Sequence, residues 1–125
     1  MSITGAHVLL YTSEPEKVRD IMRDVFGWNH VDAGGGWLIF ALPPAEIAVH
    51  PAEGQAFDAG HGHQFTLMCD NLEATLDELR SRGIETSGKP QTERWGIHTL
   101  LNLPGDLKVM LYEPRHQVAI SQRDR

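Results

Sequence analysis

A chain of 125 residues, 41% hydrophobic and 22% charged, can bury about two thirds of its unfolded surface in one ordinary core without disulfide or metal staples. A formal charge of −6 with a pI near 5.5 lacks the concentrated basic surface that phosphate backbones or anionic lipids require, so neither nucleic acid nor a membrane is an expected partner. No apolar stretch approaches the roughly 20 residues of a bilayer span, the opening residues carry no basic and then apolar leader, and the single cysteine, Cys69, has no internal partner; a cytoplasmic protein is expected.

The first element is β-rich, Ala6-His7-Val8-Leu9-Leu10-Tyr11-Thr12, and it runs into a helix signalled by Ser13 as cap with Glu16 as its reciprocal partner. In that helix Val18, Ile21, Met22, Val25 and Phe26 fall on one stripe, and Gly27 supplies the stop. Short β segments follow around His30-Val31-Asp32, at Trp37-Leu38-Ile39-Phe40-Ala41 and at Glu46-Ile47-Ala48-Val49-His50, punctuated by Gly34-Gly35-Gly36 and Pro43-Pro44. Residues 51 to 62 show no periodicity and read as a linker. The same order then returns: a strand Gln64-Phe65-Thr66-Leu67-Met68-Cys69, a helix capped by Asp70 with Glu73 and striped by Leu72, Leu76 and Leu79, a stop at Gly83, and strands at Ile84-Glu85-Thr86 extending toward Gln91-Thr92-Glu93, at 97–102 and at 108–112.

The chain therefore repeats β-α-β-β-β. Half-units that cannot close a core alone can do so by pairing their sheets, so the expected class is α+β, built from two tandem βαβββ modules. The expected boundaries are module 1 at about 5–51, a linker at about 52–61, module 2 at about 62–114 and a frayed tail at 115–125, all in a single domain. Counting back from the two helix caps sets His7 opposite Gln64.

With its opening His7-Val8-Leu9-Leu10-Tyr11, the helix end Arg23-Asp24-Val25-Phe26-Gly27-Trp28, the second-module start Cys69-Asp70-Asn71-Leu72-Glu73-Ala74 and the closing Leu103-Pro104-Gly105-Asp106-Leu107-Lys108-Val109-Met110-Leu111-Tyr112-Glu113, the chain resembles the vicinal oxygen chelate superfamily. That superfamily includes glyoxalase I, extradiol dioxygenases, and the fosfomycin and bleomycin resistance proteins. The resemblance covers residues 5 to about 114. It implies that the two modules form a curved mixed sheet around a central cleft that holds a small molecule, with the helices on the outer face; it also implies a homodimer and, in metal-binding members, ligands from the first and last strands of each module. Carried onto this chain, those positions are His7, His50, Gln64 and Met110.

Two imidazoles suit iron, zinc, nickel or manganese, a glutamine amide is a weak ligand, and the thioether of Met110 suits none of these ions. Glu46 shares the strand face of His50, so His7, Glu46, His50 and Gln64 form the candidate metal set; Glu113 is out of register with Met110 and faces away. His61-Gly62-His63 reads as a solvated loop. Tyr11, Trp95, His98, Met110 and Tyr112 are the candidate substrate-binding residues, because ligand clefts are aromatic-walled with a few placed polar groups. Trp28 and Trp37 are expected in the core, and Cys69 as inert packing.

Two functions remain open. The first is a metal-free or weakly metal-binding protein, resembling the bleomycin-resistance branch, that holds a small molecule between aromatic walls; Met110 and Gln64 at ligand positions are what it predicts. The alternative is a divalent-metal-dependent lyase, isomerase or dioxygenase acting on a small oxygenated substrate, with the ion as Lewis acid. Glyoxalase I itself is not expected, since Met110 stands where its glutamate would.

Overall fold

A computed structural model describes residues 6–49 and 63–122. Its elements are α1 (Pro15–Asp24), β1 (His30–Asp32), β2 (Leu38–Phe40), β3 (Thr66–Met68), α2 (Leu72–Ser81), β4 (Glu85–Glu93), β5 (Gly96–Leu103), β6 (Leu107–Pro114) and a closing 3-10 turn, Ala119–Gln122. β1 and β2 form an antiparallel pair, and the second module forms a four-stranded sheet in the order β3-β6-β5-β4. That sheet is mixed: β3 runs parallel to β6, and the other neighbours are antiparallel. The result is the expected α+β fold, two helices and a curved mixed sheet.

Alternation builds the core. Along β5 and β6 the odd-numbered residues Leu101, Leu103, Val109 and Leu111 are buried, and they meet Val18 of α1 together with Leu72 and Leu76 of α2 and Ile84. The helix stripes read from the sequence are these packing faces; Ile21, Met22, Val25, Phe26 and Leu79 lie against the same cluster. Both helices thus cover one face of the four-stranded sheet, and the even-numbered face is left uncovered by them.

The helix ends differ in detail from their sequence signals. α1 is preceded by Glu14 and not capped by Ser13: Pro15 occupies its first turn, and the Glu14 N–H donates instead to Thr12 Oγ1, at 3.1 Å. α2 is capped by Asn71, one residue past Asp70, through Asn71 Oδ1 accepting the Ala74 N–H at 3.0 Å. Its C-terminus closes as expected at Gly83, whose φ of +86° lets the Gly83 and Ile84 N–H groups return to the carbonyls of Arg80 and Leu79.

Two predicted strands are not formed as such. Among the described residues neither 6–12 nor 46–49 joins a ladder, and His50 lies outside the described residues, as do 51–62. A strand is stable only beside a partner. In module 2 the first strand is anchored on the last, whereas the corresponding segments of module 1 leave Leu9 59%, Tyr11 82%, Ile47 92% and Val49 92% exposed. Trp37 is likewise not core: it is 64% exposed, and its ring lies under the Arg19 guanidinium at 4.7 Å.

The modules are tied where the β5–β6 turn meets the entry to α1. Thr12 Oγ1 donates to Pro104 O at 2.6 Å, and the Gly105 N–H donates to Glu14 Oε2 at 3.0 Å. Gly105, at φ +76°, has no room for a side chain, since a Cβ there would press on Thr12 Oγ1 and on the backbone nitrogens of Ser13 and Glu14.

Candidate functional site

The even-numbered face of the sheet is assembled by register. Met110 pairs with Thr66 on one side and Leu100 on the other, and Leu100 pairs in turn with Ser87. One row further along, Tyr112 stands between Met68 and His98, and His98 is opposite Gln91. Four of these, Leu100, Met110, Tyr112 and His98, are half-buried, while their odd-numbered neighbours are in the core. The face is therefore apolar at its centre and polar at the β4 edge.

Trp95, in the turn between β4 and β5, folds onto this face. Its ring stacks on His98, with centroids 4.8 Å apart and planes 20° from parallel, and meets the edge of Tyr112 at 5.4 Å. His98 Nε2 lies 3.8 Å from Glu93 Oε1, a partner for the imidazolium when the ring is protonated. The turn is pinned by the Arg115 N–H donating to Trp95 O at 2.8 Å. Trp95, His98, Met110 and Tyr112, named separately from the sequence, thus share one wall. Tyr11, named with them, is 82% exposed on the first module.

Tyr112 is the most perturbed group of the wall. Burial, and then the negative charge of Glu46, push its phenol above the ordinary tyrosine range. Its Oη lies 3.4 Å from His116 Nε2, and the Ala119 N–H donates to Glu46 Oε2 at 2.6 Å. Residues 115–122 are accordingly not a frayed tail: the segment is tied to Trp95, Tyr112 and Glu46 in turn. Sequence reasoning missed His116, Glu93 and Leu100 as members of this surface. The available signals were Leu100, two places from His98 on the same strand face, and Pro114, which ends β6 and turns the chain back.

The candidate metal ligands fare unevenly. Gln64 and Met110 do meet, Gln64 Nε2 standing 4.0 Å from Met110 Sδ. His7 is exposed, Glu46 is engaged by the Ala119 N–H, and His50 lies outside the described residues. His63 is exposed, and His61 also lies outside. Among the described residues no group of three or more His, Cys, Asp or Glu side chains converges as a metal site would need. An amide packed on a thioether is a poor donor set for the divalent ions at issue, so Gln64 and Met110 as placed here do not by themselves hold one. Glu113 does face away, as strand parity predicts: its Oε1 accepts the Leu72 N–H at 2.9 Å, at the start of α2. Cys69, half-buried, donates its S–H to Tyr112 O at 3.7 Å, and burial raises its thiol pKa, which favours the unreactive thiol.

Two hollows lie away from this wall. One, of about 540 Å³, runs between the start of α1 and the β5–β6 turn and is lined by Glu14, Lys17, Glu85, Asp106 and Lys108; its nearest charges already pair, Lys17 Nζ with Glu14 Oε1 at 2.7 Å. The other, of about 240 Å³, lies under Phe26, Trp28 and Leu79 at the margin of the core. The aromatic wall is an open surface by comparison, and its convergence of rings, thioether and imidazole makes it the better ligand platform.

The fold defines a class, α+β proteins with two helices on one face of a mixed sheet. The sequence profile described as Glyoxalase/Bleomycin resistance protein/Dioxygenase superfamily matches residues 5–101, and the chain belongs to that superfamily. Among solved structures it is similar to TnmS3, an antibiotic-binding protein from Streptomyces sp. CB03234, with TM-score 0.62, 21% identity, and coverage of 91% of this chain and 98% of that one. It is also similar to a member of the same superfamily from Sphaerobacter thermophilus DSM 20745, with TM-score 0.61, 18% identity, and coverage of 90% and 99%. An integron cassette protein of V. cholerae shares the fold at TM-score 0.53, 15% identity, and coverage of 90% and 97%. No curated protein matches the chain. Among the described residues no helix is long and apolar enough to cross a membrane.

Proposed function

We propose that this protein is a metal-free small-molecule-binding protein, with its ligand laid on the even-numbered sheet face against Trp95, His98, Leu100, Met110 and Tyr112. The observation that carries the reading is the ring cluster itself: an indole stacked on an imidazole and edged by a phenol, beside a leucine and a thioether, on a face the helices leave uncovered. Such a wall gains free energy by burying a flat apolar ligand and orients it through few polar groups, here His98, Glu93 and the Tyr112 hydroxyl. Membership of a superfamily that includes bleomycin resistance proteins, and likeness to an antibiotic-binding protein, support the same reading. The contact between Gln64 and Met110 supports its metal-free part, since it spends a family ligand position on a thioether.

The test is a fluorescence titration of untagged protein with a panel of planar aromatic antibiotics, alongside metal analysis of the same preparation. Binding at micromolar concentration that Leu100→Lys weakens about tenfold or more supports the reading. A stoichiometric iron, zinc, nickel or manganese ion, lost in both His7→Ala and His50→Ala, would overturn it in favour of a metal-dependent lyase, isomerase or dioxygenase.

A further inference from the structure

The C-terminal segment bears on the wall at several points. Leaving β6 at Pro114, it returns the Arg115 N–H to Trp95 O, sets the His116 ring 6.1 Å from the Tyr112 ring with Nε2 3.4 Å from its hydroxyl, and ends in a 3-10 turn whose first N–H is held by Glu46 at 2.6 Å. Trp95 and Tyr112 are the rings that close one end of the proposed ligand face. Glu46 comes from the first module, separated in sequence from Ala119 by 73 positions. A carboxylate accepting a backbone N–H is among the stronger hydrogen bonds available to an exposed segment, and it is made at the start of a helical turn, where that N–H has no partner within the turn.

We propose that residues 115–122 form a strap across the Tyr112 end of the ligand face, latched to the first module by Glu46, and that opening of this latch sets how fast a ligand leaves. The proposal rests on the reading of that face as the binding site. Glu46 is then a positioning residue: it holds the strap, and through the strap His116, against Tyr112 without itself being part of the wall. The imidazole of His116 adds a polar edge beside the Tyr112 hydroxyl, so a bound molecule meets this further donor or acceptor only while the latch is closed.

The latch can be broken from either side. Glu46→Ala removes the acceptor, and Ala119→Pro removes the donor while proline remains acceptable at the first position of a helical turn. Deuterium exchange reports the strap directly, and dissociation of the neutral dye N-phenyl-1-naphthylamine, followed by stopped flow, reports the face. Protection of 115–122 that both variants lose, with dye release about five- to tenfold faster in each and no faster in the double variant, is the expected result. An unprotected 115–122 in the unaltered protein overturns the strap, and unchanged dye release after protection is lost overturns its gating role. Dye binding that Leu100→Lys leaves intact overturns the ligand face itself, an outcome the exchange data would not produce.

Discussion

Tyr112 gathers most of what is unusual at the level of single residues. Its ring is edge-on to Trp95, its hydroxyl approaches His116, and burial together with the Glu46 carboxylate raises its pKa. A tyrosine whose folded value lies above its unfolded one, about 10, binds its proton more tightly in the native state. The stability this contributes is fully present below about pH 10 and is lost as the pH rises through the folded value. In an ultraviolet difference titration at alkaline pH, the ionisation that disappears in Tyr112→Phe is expected to lie above pH 10, and Glu46→Gln should move it down. A Tyr112 ionisation at or below that pH would remove the charge relation between the two residues.

At the level of elements, α2 is held at its N-terminus by two groups of different origin. Asn71 caps it locally by accepting the Ala74 N–H, and Glu113 reaches from the end of β6 to accept the Leu72 N–H, adding a negative charge where the helix dipole favours one. Each of Asn71→Ala and Glu113→Ala is expected to cost about 1–2 kcal/mol in urea denaturation, while leaving dye binding at the even-numbered face unchanged. Loss of binding in Glu113→Ala at full stability would show that its carboxylate serves the ligand. Strand parity alone placed Glu113 on the helix side, because alternation is a property of the strand. The cap was displaced from Asp70 to Asn71 because the turn that starts a helix is chosen by backbone geometry, and adjacent Asp and Asn offer nearly the same acceptor.

At the scale of the whole molecule, the first module leaves much of its apolar surface open. Tyr11, Ile47 and Val49 are each more than four fifths exposed, the segments carrying them lie outside any described ladder, and among the described residues β3 pairs on one side only. Unpaired β-prone segments and a free sheet edge are what a second copy of the chain would cover, and we propose a homodimer built on them. Light scattering coupled to size exclusion is expected to give twice the 14.0 kDa chain mass, falling to the single-chain value when Tyr11 and Ile47 are both changed to Lys. A monomer at micromolar concentration in the unaltered protein would rule the dimer out.

The β-α-β-β-β order of the second module, the helix stripes, the glycine stops and the face to which Met110 and Tyr112 belong were determined by the sequence itself. They rest on periodicities and turn residues that act over a few positions, where neighbouring side chains alone decide the outcome. Tertiary structure alone decided that Glu46 binds the tail, that His116 stands at Tyr112, that Trp95 stacks on His98, and that 6–12 and 46–49 stay outside the sheet. Each of these depends on a partner brought near by the fold, and a strand pattern or a carboxylate reads the same in sequence whether or not that partner arrives.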